Sequence, residues 1–205
     1  MKYKYYFNYD DYGQNAYTNS SIKDSLSYLG NFSSTLTFRA AVSHMRNDKN
    51  KCFAKSLAKC DNNLHFDFAE FYIISGKSRE ELSCELLRQF KSFKDLNGLP
   101  DRIDFHQNMH KNFKLLRVIN NSKDICSITL RPIVQFPMSD NWMFSLTKYM
   151  FTFIYQSLGK MLFSNLNFGN ELIVTNIHKA TKQKIKILMV FNKIFGYDLL
   201  IPMHP

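Results

Sequence analysis

Two apolar runs of strand length, each interrupted by a single charge, constrain the fold of this chain most. Ile128–Val134 carries Arg131, and Ile194–Pro202 carries Asp198. A lone arginine and a lone carboxylate in core-grade segments are costly to bury unless they are paired or used. The fold that takes up both runs must therefore also provide for both charges. Arg131 reads either as an arginine snorkelling from an edge strand or as a bidentate clamp on a carboxylate. Pro132 beside it interrupts a ladder and predicts an edge or a bulge. Asp198 reads either as a turn acid or as a group that hydrogen-bonds a substrate hydroxyl or handles its proton. Gly196 suits a bulge or close approach of a ligand.

Around these runs the sequence predicts strands interspersed with helices. Residues 1–20, rich in Tyr, Asn and Asp, read as an extended arm. Ile22, Leu26 and Leu29 recur at helical spacing, and Leu36, Ala40 and Val42 suggest a second helix capped by Ser34 or Thr35. Leu64–Ile74 begins as a strand, with Leu64, Phe66 and Phe68 on one face and His65 and Asp67 on the other. Ser78–Glu81 is a capping box, and the helix behind it uses Leu82, Leu86, Leu87 and Phe90. Asn97–Pro100 is a turn. Phe113–Ile119 and Ile125–Phe136 read as a β-hairpin, Met138–Gln156 as a helix and Glu171–Ile177 as a strand. Lys184–Phe191 and Ile194–Ile201 read as a final hairpin. Hairpins with interspersed helices define an α+β fold with a mostly antiparallel β-sheet.

Composition narrows the function classes. The chain has 205 residues, 45% of them hydrophobic and 15% aromatic, which suits one domain over 1–205 with a proper core and argues against disorder. Met143–Phe163, the most apolar long stretch, contains Lys148, Gln156 and Lys160, so no membrane span is expected. The net charge of +10 is spread along the chain. Lys49–Lys59 holds one aromatic, Phe53, and lacks the interleaving of a nucleic-acid surface. The four cysteines form no C-x-x-C pair, and the first ten residues have no apolar signal region. Free thiols and a cytoplasmic location follow as expectations. His106 and His110 have i,i+4 spacing but no clear acid or cysteine partner, so no metal is expected. No nucleophile motif or phosphate-binding loop is present.

Four stretches, taken in order, resemble the chorismate lyase family. Ser34–Arg39 is similar to an early Ser-hydrophobic-Thr-x-Arg motif, and Leu130–Val134 to the strand whose arginine binds a substrate carboxylate. Leu158–Phe163 is similar to a Leu-Gly-x-x-Leu-Phe segment. Asp198 stands where the family has a glutamate shortly before a C-terminal Leu-Pro. The resemblance covers residues 25–45 and 113–205. Residues 46–112 are longer than the family's corresponding stretch and do not align with it.

The resemblance implies the fold shared with the effector-binding domains of GntR-type regulators. It also implies cofactor-independent conversion of chorismate to 4-hydroxybenzoate and pyruvate, a step of ubiquinone biosynthesis. In that reading Arg131 clamps a substrate carboxylate and Asp198 bonds the ring hydroxyl or assists the proton. Leu36, Thr37, Leu158 and Gly159 bind the substrate. Two alternatives stand beside it. One is a non-catalytic sensor of small anions on the same fold. The other is a basic protein using Arg46–Lys59 against nucleic acid or a partner.

Overall fold

A computed structural model describes residues 5–12, 17–18, 20–22, 24, 36–42, 60–68, 76–176, 186, 188, 190 and 194–203. Its strands are β1 (Tyr5–Tyr12), β2 (Leu36–Val42), β3 (Cys60–Phe66), β4 (Arg102–Phe105), β5 (Thr129–Leu130), β6 (Gln135–Pro137), β7 (Asn167–Phe168), β8 (Glu171–Thr175) and β9 (Asp198–Met203). Its principal helices are α1 (Arg79–Asn97), α2 (Phe113–Asn120) and α3 (Trp142–Leu162), with a 3-10 helix over His106–Lys111. Every strand pairing is parallel. The expected antiparallel α+β sheet is thereby overturned: the architecture is parallel α/β.

The strand order is β6-β8-β9-β1-β2-β3-β4-β5-β7. The two nominal edges are not true edges. In β7 and β8 alike, each residue pairs with the one 38 positions before it, from Thr129↔Asn167 to Pro137↔Thr175. The unchanged offset makes β5 and β6 two halves of one run, and β7 and β8 two halves of another. Backbone bonds from Gly169 N–H to Leu130 O (2.8 Å) and from Ile173 N–H to Val134 O (3.0 Å) carry the pairing across the gap. Pro132 lies in that gap and can donate no ladder bond. The nine ladder segments thus form seven staves, and the sheet closes into a parallel barrel.

The barrel places its apolar residues outside. Leu64, Phe66, Ile103 and Phe105 face outward and pack with Leu82, Leu86, Phe90 and Phe93 of α1 and with Leu115, Leu116 and Ile119 of α2. A second cluster joins Val134, Phe136, Leu172, Val174 and Leu199 with Tyr149 of α3. Alternate strand positions point inward, and there the buried residues are polar: Asn8, Asn63, His65, Arg102, Asp104 and Glu171. Ile173 and Leu200 form a separate apolar pair in register on that face.

Local chemistry explains both the agreements and the differences. Ser78 accepts from Glu81 N–H at 3.1 Å while the Glu81 carboxylate accepts from Ser78 N–H, completing the expected capping box. Gly98 closes α1 at φ +81°, which only glycine adopts cheaply. Phe113–Ile119 is helical, not a strand. Asn112 caps it by accepting from Lys114 and Leu115 N–H at 2.9 and 3.4 Å, and Leu115, Leu116 and Ile119 share a buried face at helical spacing. The expected 113–136 hairpin is therefore a helix followed by a stave. Residues 36–42 form β2 instead of a helix, and the expected arm contributes β1, inside the sheet. The described residues of the expected final hairpin do not form one: Lys186, Leu188 and Val190 are helical, and β9 pairs in parallel with β1 and β8. Leu26 and Leu29 of the expected first helix, and residues 69–74 of the expected 64–74 strand, lie outside the described residues.

Candidate active site

In a parallel barrel, the loops and side chains at the C-terminal ends of the strands form the mouth where ligands bind. His65 is the penultimate residue of β3, and His106 follows the last residue of β4. Their rings meet edge to face at 5.6 Å between centroids, with His65 Nε2 3.5 Å from His106 Nδ1. His65 pairs in register with Asp104 of β4. Arg102↔Thr129 and Ile103↔Leu130 are the next pairs across, so one further step sets Arg131 beside Asp104. The bond from Arg131 N–H to Ile103 O at 2.8 Å fixes that step. His65, Asp104 and Arg131 therefore form a transverse row over three neighbouring staves, and all three are buried.

The row is held from outside the barrel. Gln89 of α1 accepts from Asp67 N–H at 3.1 Å and donates to Asp67 O at 2.6 Å, clamping the chain just beyond His65. Below the row, Arg102 and Glu171 form a buried ion pair between β4 and β8. Gly169 makes room for it: a Cβ there would collide with the Glu171 carboxylate and lie 3.0 Å from Arg102 Nη2. Asn63, in register with Arg102, is fully buried, and neither side-chain atom has a hydrogen-bond partner among the described residues. An orphaned amide of this kind costs roughly 1–3 kcal/mol.

At the end of the 3-10 helix, burial pushes the Lys111 ammonium down to about 8, helped by the like charges of Lys148 and Arg131. A lysine near that value is available at neutral pH both as a cation and as a base. The Lys111 carbonyl is held by the Tyr155 hydroxyl of α3, whose ring stacks on Phe113 at 4.6 Å.

The residues expected to act together are distributed differently. Arg131 is 4% exposed and belongs to the transverse row. Asp198 is half-buried and opens β9 opposite Glu171, with its N–H donating to Asn170 O at 3.3 Å. It stands at the N-terminal end of its strand, whereas His65 and His106 stand at the C-terminal ends of theirs. Leu36 and Thr37 begin β2, in register with Tyr5 and Tyr6. Leu158 is exposed on α3, outside the barrel, and Gly159 packs on the Phe168 ring. The structure does not gather these six into one site.

His65 and Asp104 are the residues that sequence reasoning missed. Their signal was the strict polar–apolar alternation of 63–66 and 102–105, which marks two faces without saying which of them lines a site. Among the described residues no group of three His, Cys, Asp or Glu side chains could hold a metal ion. No helix among them is long and apolar enough to cross a membrane.

Fold and site together define a parallel α/β barrel with an imidazole–carboxylate–guanidinium mouth. No protein-family model matches the chain, and no curated protein matches it. Among solved structures it is similar to the Xyl-CE4 domain of a multidomain xylanase from the hindgut metagenome of Trinervitermes trinervoides. The identity is 14%, the TM-score 0.48, and the alignment covers 98% of this chain and 88% of that one. The barrel described above rests on the strand register of this chain. The antiparallel fold expected with the chorismate lyase resemblance does not occur among the described strands, and that reading is not carried forward.

Proposed function

We propose that the chain is a barrel hydrolase that uses acid–base chemistry at the C-terminal mouth on a polar acyl substrate, an ester or an amide. The observation that carries this reading is the close approach of two imidazole nitrogens, His65 Nε2 and His106 Nδ1, with the buried Asp104 next to His65 in register. Water attacks the acyl carbon as the His65–His106 pair takes its proton, and the same pair returns that proton to the leaving oxygen or nitrogen. Asp104 places a buried carboxylate next to His65 in the row. Arg131 and Lys111 lie on the side where negative charge on the substrate oxygen would be stabilised. Asn63 offers an amide to a polar substituent.

The test is hydrolysis of a panel of acyl esters and amides, acetylated sugars included, followed between pH 6 and 9. His65→Ala and His106→Ala should each lower kcat by about 10²–10⁴-fold, the usual contribution of a positioned acid or base. Turnover unchanged in both variants, or absent over the whole panel, would refute the assignment.

A further inference from the structure

Helix α3 is amphipathic in the reverse sense. Its barrel-facing side is polar or small: Ser145, Tyr149, Thr152, Gln156 and Gly159. Those groups bond the backbone of the fifth stave. Ser145 Oγ donates to Pro137 O at 2.6 Å, Thr152 Oγ1 accepts from Gln135 N–H at 3.0 Å, and Gln156 Oε1 accepts from Ile133 N–H at 2.6 Å. The register with β4 covers only Thr129 and Leu130 of this stave, so backbone groups farther along it find their partners on α3. The outward side is apolar. Trp142 is 62% exposed, Phe151 63% and Met161 71%, and Phe144, Ile154 and Leu162 are each more than half exposed. A surface helix ordinarily presents polar residues to water, and a contiguous apolar face of this kind marks an interaction surface.

We infer that the outer face of α3 docks the protein on an anionic bilayer surface, with the helix lying in the interfacial plane. The charge pattern selects this occupant. The helix contains no aspartate or glutamate; its charges are Lys148 and Lys160, on a chain of net charge +10. A second copy of the helix would bring no carboxylate to answer them. Anionic headgroups answer them directly. The mixture of Trp, Phe, Met and Leu suits the headgroup–acyl boundary. The hydrogen-bonded inner side ties the helix to the barrel along a length of about 31 Å, so it rests on the surface and does not cross.

The single tryptophan of the chain, Trp142, lies on the patch and reports binding directly. The full chain is titrated with phosphatidylcholine vesicles with and without phosphatidylserine, and Trp142 emission is followed together with co-sedimentation. The expected result is a blue shift and sedimentation with the phosphatidylserine vesicles, both weakened by salt. Phe151→Glu/Met161→Glu should reduce partitioning at least tenfold, and Lys160→Glu severalfold. No shift with either vesicle would overturn the inference, as would equal binding to both. A blue shift without lipid, tracking protein concentration and a dimer in sedimentation velocity, would assign the face to a second copy and also overturn it.

Discussion

Gly169→Ala tests whether the barrel interior is built around a buried ion pair. The added Cβ would run into the Glu171 carboxylate and sit 3.0 Å from Arg102 Nη2 and 3.2 Å from its Cζ. Both side chains are almost wholly enclosed, so neither can swing into water to make way. Two responses are open to the protein. It can strain the surrounding staves, at about 1–3 kcal/mol for overpacking, or separate the pair, at about 3–5 kcal/mol for a buried ion pair that loses its partner. The lower route sets the expectation at about 1–3 kcal/mol. At roughly 2–4 °C per kcal/mol for a chain of this size, Tm should fall by about 2–12 °C. Gly169 carries no positive φ, so backbone strain contributes nothing and the effect isolates the contact. Calorimetry on Gly169→Ala, on Arg102→Met/Glu171→Leu and on the triple variant closes a cycle. The alanine should cost less once the ion pair is gone. A Gly169→Ala protein within about 0.5 kcal/mol of the parent, the range of an unremarkable substitution, would refute the packing argument.

Lys111→Met should raise stability at neutral pH by about 1–2 kcal/mol, after discounting for partial solvent access. The sign follows from a folded-state value of about 8 against an ordinary 10.5. Between those values the unfolded chain binds more protons, so the parent protein gains stability as pH rises from about 8 to 10.5. The advantage of the variant should vanish over the same interval in denaturant titrations. Ser78→Ala removes the hydroxyl that accepts from Glu81 N–H and should cost about 0.5–2 kcal/mol by thermal melting. Gln156→Ala strips the acceptor from buried Ile133 N–H and should cost about 1–3 kcal/mol, whereas the exposed neighbour Ser157→Ala should leave Tm almost unchanged.

The sequence disclosed single elements better than their assembly. Leu64 and Phe66 alternate with His65, and β3 is where that alternation places it. Ser78 and Glu81 announce α1, and Asn97-Gly98 its end. Phe113–Ile119 misled because its apolar residues are dense enough to satisfy either period; Asn112, a strong cap immediately before it, was the deciding signal. Strand direction is not a local property. Nothing within Asp198–Met203 says that β1 and β8 will flank it, so two short apolar runs near each other read as a hairpin. The site was half legible. A lone arginine in Ile128–Val134 flagged Arg131, but alternation in β3 marks two faces without saying which one lines the inside of a barrel, and Asp104 in the four-residue β4 belongs to no motif. The short motifs behind the chorismate lyase resemblance fall on a strand, a stave break, a helix end and another strand, and the fold does not bring them together.

The place of β9 in the ring has a kinetic consequence. It is the last of the staves in chain order, yet it sits between the first strand and β8. Until residues 198–203 arrive, β1 and β8 each present an open row of backbone donors and acceptors, the kind of edge that recruits other chains. Closure then joins segments nearly the full length of the chain apart, which slows folding. An N-terminal fragment stopping before Asp198 should therefore be an aggregating species, and the hazardous interval in the life of this protein comes before its ring is complete.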